Sequence, residues 1–365
     1  MRKTTVYDVA ERAGVSTATV SFTFRRPDKV KPATRERVLK AARELDYVPS
    51  ANARGLARGK TGALGLYSFD MLIERPQGSD LEDFATEDIF ERPDVLVYPL
   101  YADEVQRGFE VECWHRGQTV LLGTAVSKRD NGSITDIAGR VDGLALFPNR
   151  GTDDLPVARL CRSIPVVRIG ETDGELPSAD VICDNEGGIA ALVDHLVDVH
   201  GVTEMSFIGE LTTYDMHRRF EAFQSRAAER GIAMGRPLLD DSVASSREWL
   251  VNLCEAVDVE GLPRALVCGN DQTALSVIDV LRDAGVRVPR DVIVTGFDGI
   301  LAASIGSPTL TTVRQPMGTM GRMAAKLLDE RGGVPWDEPC VHRLPVKVVL
   351  GAELRLRVTG QRPAW

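Results

Sequence analysis

From residue 61 onward, short apolar runs rich in β-branched residues alternate with longer amphipathic stretches. No other feature restricts the fold of this chain so strongly. The runs at 63–68, 118–124, 142–147, 164–169, 204–208, 264–268 and 291–296 predict strands. The stretches near 102–116, 186–200, 216–230 and 271–284 carry apolar residues at helical spacing. Strand–helix alternation of this kind builds parallel sheets covered by helices on both faces. Three hundred residues of it suit two doubly wound lobes better than one, and an apolar content of 43 % supplies their cores. Residues 70–97 break the rhythm: acidic, with Pro76, Gly78 and Pro93 and no clear period, they read as an insertion.

The first sixty residues follow a different pattern, that of three short helices. Thr5-Val6-Tyr7-Asp8 is a T-x-x-D helix start, and Val6, Val9, Ala10 and Ala13 form one apolar stripe. Gly14 ends that helix and Ser16 caps a second, whose inner face is Val20 and Phe24. Pro32 opens a third, which runs through Val38, Leu39, Ala42 and Leu45. A helix, a glycine turn and a polar-faced second helix form the helix-turn-helix pattern, in which the start of the second helix meets base edges in the major groove. Those residues are Ser16, Thr17, Ala18 and, one turn on, Ser21 and Phe22, mostly short side chains that permit close approach. Charge separates in the same way. The chain carries −9 overall, yet residues 1–60 hold fourteen Lys and Arg against six Asp and Glu, so the remainder is strongly acidic. A basic module on an acidic body matches a phosphate-contacting headpiece on a sensor.

The motifs Tyr7-Asp8-Val9-Ala10-Glu11-Arg12-Ala13-Gly14-Val15-Ser16, Thr19-Val20-Ser21, Thr34-Arg35-Glu36-Arg37-Val38 and Leu45-Asp46-Tyr47-Val48-Pro49 resemble the headpiece of the lactose-repressor (LacI/GalR) family. Ala51-Asn52-Ala53-Arg54-Gly55-Leu56-Ala57 is similar to that family's hinge helix. The resemblance implies a DNA-contacting set of Thr5, Tyr7, Ser16, Thr17, Ala18, Ser21, Phe22, Arg25, Asn52, Ala53 and Leu56, with Leu56 wedging the minor groove at the operator centre. Three positions depart from the family. Phe22 stands where a base-reading Arg is common, Arg25 where an Asn usually ends the second helix, and Lys31 where a Ser usually caps the third.

Across the body, Val141-Asp142-Gly143-Leu144, Asp184-Asn185-Glu186-Gly187-Gly188, Gly269-Asn270-Asp271-Gln272-Thr273, Val294-Thr295-Gly296-Phe297-Asp298 and Leu310-Thr311-Thr312-Val313-Arg314-Gln315-Pro316 resemble the family's periplasmic-binding-protein-like core. Leu354–Thr359 is similar to its closing strand. The resemblance implies effector-binding roles for Tyr101, Arg219, Asn270, Asp298 and Gln315. An Arg, an Asp and an Asn facing one crevice beyond the strand ends would suit a sugar's vicinal hydroxyls. Each also has a plain structural role available as a turn or helix cap. Cys183 and Gly170 stand where the family often places a pocket aromatic and an Asp, so the effector is unusual or absent.

These readings combine into an all-α helix-turn-helix headpiece (1–48), a hinge (49–60) and an α/β core of two doubly wound parallel-sheet lobes (61–365). Lobe one takes about 61–183 and 316–342, and lobe two about 184–315 and 343–360. The expected protein is a cytoplasmic, homodimeric repressor that binds double-stranded operator DNA and is controlled by a sugar-like small molecule, with no cofactor or metal. Activation, a non-sugar effector or a protein partner remain open alternatives. An enzyme is disfavoured because the sequence holds no phosphate-binding loop, G-x-S-x-G or H-E-x-x-H. A free solute-binding protein would need an export signal, and Met1–Thr5 is not followed by an apolar run; no membrane span is expected either. The six cysteines lack metal or disulfide spacing and read as reduced core residues.

Overall fold

The structure, a computed structural model, describes residues 4–47, 60–69, 100–125, 131–147, 155–240, 261–351 and 354. The insertion at 70–97 and the hinge residues Asn52, Ala53 and Leu56 lie outside the described residues, as do 355–359 of the closing strand. The chain divides into two units, Met1–Gly62 and Ala63–Trp365.

In the first unit, α1 (Val6–Ala13), α2 (Thr17–Arg25) and α3 (Pro32–Glu44) enclose a small core of Val9, Ala10, Ala13, Val20, Val38 and Ala42. At the start of α1 the Thr5 amide and hydroxyl both donate to the Asp8 carboxylate at 2.7 Å, tying down an otherwise unmet amide. Gly14 ends the helix at φ 63°, a conformation that costs glycine little, and the Val15 amide then donates back to the Ala10 carbonyl at 3.0 Å. The chain thus reverses within three residues, and Ser16 caps α2 by accepting from the Thr19 amide. As the sequence implies, Lys31 offers α3 no side-chain cap. Phe24 stacks at a tilt on Tyr47, 6.0 Å between centroids, which closes the open end of α2.

The second unit contains two sheets among the described residues. The first has order β12-β5-β4-β3-β1-β2, built from β1 (Ala63–Phe69), β2 (Thr119–Ala125), β3 (Leu144–Leu146), β4 (Val166–Ile169), β5 (Ala179–Cys183) and, much later in the chain, β12 (Cys340–Leu344). Its helices are α4 (Leu100–His115), α5 (Asn131–Ala138) and α6 (Leu155–Leu160), and every pairing is parallel. The chain crosses to the second lobe through α7 (Asn185–His200). There β6 (Glu204–Glu210), α8 (Tyr214–Glu229), β7 (Ala233–Met234), β8 (Leu238–Asp240), β9 (Ala265–Cys268), α9 (Asp271–Asp283), β10 (Ile293–Asp298), α10 (Leu301–Ile305) and β11 (Thr311–Arg314) follow. It returns through α11 (Met317–Arg331) to β12, then crosses again to β13 (Lys347–Val349), which pairs antiparallel with β11 at the edge of the second sheet. The buried runs LAL, VVRI and ALVC of β3, β4 and β9 carry burial on both faces, as helix-covered parallel strands must.

All seven strands and four core helices expected from periodicity are present, within a few residues of their ends. Beyond the expected elements are β5, β7, β8, β11, β12, β13, α5, α6, α10 and α11. Helix α11, MGTMGRMAAKLLDER, is weakened as a sequence signal by Gly318 and Gly321, which lower intrinsic helicity. Tertiary packing explains them: a Cβ on Gly321 would strike the Val105 carbonyl of α4, and one on Gly108 would strike the Gly318 carbonyl. The two helices therefore meet backbone to backbone. Among the described residues, which exclude Cys254, four cysteines are buried as expected, with burial pushing the Cys161 thiol up to about 11. Cys340, by contrast, is only half-buried, because β12 is a sheet edge.

Gly321→Ala forces α4 and α11 apart against main-chain atoms that cannot rotate away. The substitution is expected to lower stability by about 1–3 kcal/mol despite its gain in helix propensity, measured by chemical denaturation of the full-length protein.

Candidate functional site

In the helix-turn-helix unit, the face of α2 turned away from the core is open to solvent. Ser16 and Ala18 are exposed, Thr17 and Ser21 are half-buried, and Phe22 keeps 48 % of its surface. Ser16 spends its oxygen on the Thr19 amide, so of the expected base-readers it also acts as the helix cap. Tyr7 projects from α1 at 72 % exposure, Thr5 is held in the α1 cap, and Arg25 ends α2. An exposed aromatic beside small hydroxyl residues offers apolar contact to a thymine methyl and hydrogen bonds to base edges, with no bidentate guanine reader at position 22.

In the two-lobed unit, buried charges gather where strands of the second sheet end. Arg219, one turn into α8, is 3 % exposed and is held on four sides. Its Nε donates to Asn185 Oδ1 at 2.9 Å, and its Nη1 donates to the Gly269 carbonyl at 2.8 Å and to Asp298 Oδ1 at 3.3 Å. The guanidinium lies 3.8 Å from the Phe297 ring centroid. Asp298 ends β10 at φ 119°, in the left-handed region that Asp tolerates better than most residues. Gln315 follows β11 and donates from Nε2 to Asp298 Oδ1 at 2.6 Å, while its Oε1 is buried without a hydrogen-bond partner. Three of the five expected effector residues, Arg219, Asp298 and Gln315, are thus in direct contact.

The other two are placed differently. Asn270 caps α9, its Oδ1 accepting from the Thr273 amide at 2.8 Å. Tyr101, on α4 of the first lobe, stacks edge-on against Phe147 at 6.1 Å. Sequence reasoning missed Asn185 and Asp215. Asn185 is 1 % exposed and bridges Asp215 Oδ1, to which it donates at 2.6 Å, and Arg219. The i, i+4 spacing of Asp215 and Arg219 on α8 was the available signal. Asp271, fully buried, accepts from the amides of Gly299 and Ile300 and from the Thr312 hydroxyl, and so fixes the turn after Asp298. Cys183 Sγ lies 3.3 Å from Asn185 Oδ1 at the crossing between lobes.

Burial holds the carboxyls of Asp215, Asp271 and Asp298 above the usual carboxylate range, against the pull of Arg219 on Asp215 and Asp298. Two bonds tie the lobes beside this cluster. Arg314, which also donates to the Gly299 carbonyl, meets Glu104 of α4 at 2.5 Å, and the Leu100 amide donates to Gln272 Oε1 at 2.8 Å.

A headpiece that can enter a major groove, together with a core of two parallel-sheet lobes that hold a buried polar cluster at their junction, defines a DNA-binding regulator with an effector-binding core. Residues 5–50 match the family model for bacterial regulatory proteins of the lacI family, and residues 193–352 match that of a periplasmic binding protein-like domain. The chain is 32 % identical over 90 % of its length to the HTH-type transcriptional repressor PurR of Photobacterium profundum, covering 91 % of that protein. Against PurR of Pasteurella multocida the figures are 29 %, 97 % and 99 %. Its fold is similar to the lac repressor dimer bound to operator and the anti-inducer ONPF, with TM-score 0.73 and 23 % identity over 96 % of this chain and 98 % of that one. It is also similar to a transcriptional regulator CelR–cellobiose complex, with TM-score 0.60 and 26 % identity over 96 % and 99 %. The chain belongs to the bacterial lacI family: it is a DNA-binding transcriptional repressor, not an enzyme. No helix among the described residues is long and apolar enough to cross a membrane.

Raised carboxyl pKa values mean that the folded protein holds protons that the unfolded chain has released. The contribution of these groups to stability therefore falls as pH rises from the ordinary carboxylate range. Asp298→Asn removes one of the buried charges, so it is expected to flatten the decline in melting temperature between about pH 5 and 7.5 relative to wild type. Thermal unfolding across that range, wild type against variant, measures the difference.

Proposed function

We propose that this chain is a homodimeric repressor whose operator affinity is set by a sugar-like polyol bound at the junction of the two lobes. The observation that carries the reading is the contact between Arg219, Asp298 and Gln315. A cationic donor, an anionic acceptor and a buried, unpartnered Gln315 Oε1 sit within one hydrogen-bonded group. Such a mixture recognises hydroxyls, which donate and accept at once. The solved CelR–cellobiose complex supports the same ligand class. We assign Tyr101, on α4, and Asn270, at the start of α9, as further ligand contacts.

On the DNA side, residues 1–48 form the headpiece, 49–60 the hinge and 61–365 the sensor. Ser16, Thr17, Ala18, Ser21 and Phe22 read bases; Thr5, Tyr7 and Arg25 contact the backbone. Asn52, Ala53 and Leu56 engage the minor groove at the centre of a pseudo-palindromic site. A repressor of this kind acts in the cytoplasm, where its operator lies. Effector binding changes the angle between the lobes and thereby the spacing of the two hinges, a coupling of about 1–3 kcal/mol in systems of this type.

Dimerisation has its own support. Val111 and Trp114 on α4 and Leu122 on β2 are 44 %, 76 % and 51 % exposed, and Leu301 and Ile305 on α10 are 73 % and 75 % exposed. Exposed apolar side chains on α4 and β2 support a partner-covered surface there. Trp114→Asp is expected to convert the dimer to monomer in sedimentation velocity and to weaken binding to a two-half-site operator by about a hundredfold. A variant that remains dimeric removes α4 from the interface.

The functional test begins by selecting operator fragments from genomic DNA with the full-length protein, then measuring binding by fluorescence anisotropy. Phe22→Ala is expected to lower affinity for the selected operator by about tenfold or more while leaving binding to random DNA within about twofold. Arg219→Ala is expected to retain operator affinity and lose the response to every sugar that shifts wild type. Equal loss on both DNAs for the first, or an intact response for the second, overturns the respective assignment.

A further inference from the structure

The carboxylates around Arg219 are not balanced in charge. One guanidinium serves two carboxylates. Asp298 has direct hydrogen bonds from Arg219 and Gln315, whereas Asp215 Oδ2 lies 3.9 Å from Arg219 Nη2, beyond hydrogen-bond distance. The other oxygen of Asp215 is occupied by the Asn185 amide. The neighbouring cations are already engaged: Arg218 with Glu186 and Glu221, Arg343 with Glu186 and Asp184, and Arg314 with Glu104. Asp271 is a further buried carboxyl, met by dipoles alone, and burial pushes its pKa up to about 7. Gln315, 2 % exposed, adds a buried carbonyl oxygen that no donor reaches. The Asp215 side chain keeps 15 % of its surface, so the deficit is not sealed off.

We propose that the effector of this protein is a polyol bearing a protonated amine, such as an amino sugar, whose ammonium group is received by Asp215 while its hydroxyls meet Asp298, Arg219 and Gln315. The proposal rests on the effector reading above and adds a charge to it. An ammonium supplies three donors and one positive charge to a site short of both, and it brings the count of Arg219, Asp215 and Asp298 to neutrality. A phosphorylated or carboxylated sugar would set a third anion beside two that share one cation, an arrangement that like-charge repulsion disfavours at a desolvated site. Asp215 is then the residue that sets ligand charge, while Arg219 and Asp298 set the hydroxyl pattern. Burial of Asp215 raises its pKa, as expected of a carboxylate that lacks a full counter-ion.

The test uses full-length protein and matched probes on three hexoses: glucose, galactose and mannose, each with its 2-amino, 2-acetamido and 6-phosphate forms. Affinities are measured by calorimetry at pH 7.5 for wild type and Asp215→Asn. On at least one hexose the amine is expected to bind about tenfold or more tighter than the neutral and acetylated forms, with the phosphate weakest. In Asp215→Asn the preference for amine over neutral sugar is expected to fall to within about threefold. The wild-type ranking decides the matter even if the variant folds poorly. A neutral hexose that binds as tightly as its amine, or a phosphate that binds best, overturns the charge assignment and leaves the polyol effector standing. Absence of binding across the whole series overturns both.

Discussion

Everything at the junction of the lobes depends on keeping one guanidinium out of water. Arg219 reaches its place because α8 starts just beyond the end of β6, and it is stabilised there by bonds to Asn185, the Gly269 carbonyl and Asp298. Each partner comes from a different part of the chain. Asn185 is the first residue after the crossing between lobes, Gly269 follows β9, and Asp298 ends β10. A buried charge costs several kcal/mol unless its donors are met, so these segments are held at fixed distances from one another by one side chain. Asp298 in turn holds Gln315, which begins the passage back to the first lobe.

This arrangement places the groups proposed to read the ligand at the points where the chain changes lobes. Asn185 and Gln315 flank two of those crossings, and Arg314 joins the turn at Gly299 to Glu104 on the opposite lobe. A molecule bound here contacts groups whose positions depend on the interlobe angle, and differential contact is what a population shift requires. The helix that receives Arg314 through Glu104 also carries the exposed Val111 and Trp114, so α4 spans from the cluster to the surface that dimerisation would cover.

Close packing gives the first lobe the rigidity such a lever needs. The contact of α4 with α11 is made through Gly108, Gly318 and Gly321, with main chain against main chain. Helices joined at this distance have no side-chain layer in which to shift, so α11, which carries the chain from Gln315 to β12, moves with α4 as one body.

Local chemistry made much of this protein legible in its sequence. The helix-turn-helix could be read from Thr5, Asp8, Gly14 and Ser16 because caps and a left-handed glycine are set by residues within one turn of each other. The seven expected strands and four core helices were readable because burial on both faces leaves an apolar run, and α11 was hidden because its glycines serve a contact with α4 rather than helix propensity. Arg219, Asp298 and Gln315 could be nominated from segments that resemble a family and assigned to one crevice, but nothing in the sequence showed the hydrogen bonds that join them. Asn185 and Asp215 were absent from that set for the same reason, and Asn270 turned out to be engaged as a cap, a role its position in the sequence equally allowed. The sequence by itself determined which short segments are helix, turn and strand, since those follow from propensity, capping and periodicity. Only the tertiary structure decided which charges share a site, because residues up to 130 positions apart, Asn185 and Gln315, meet through Arg219 and Asp298 only after two sheets have formed and crossed.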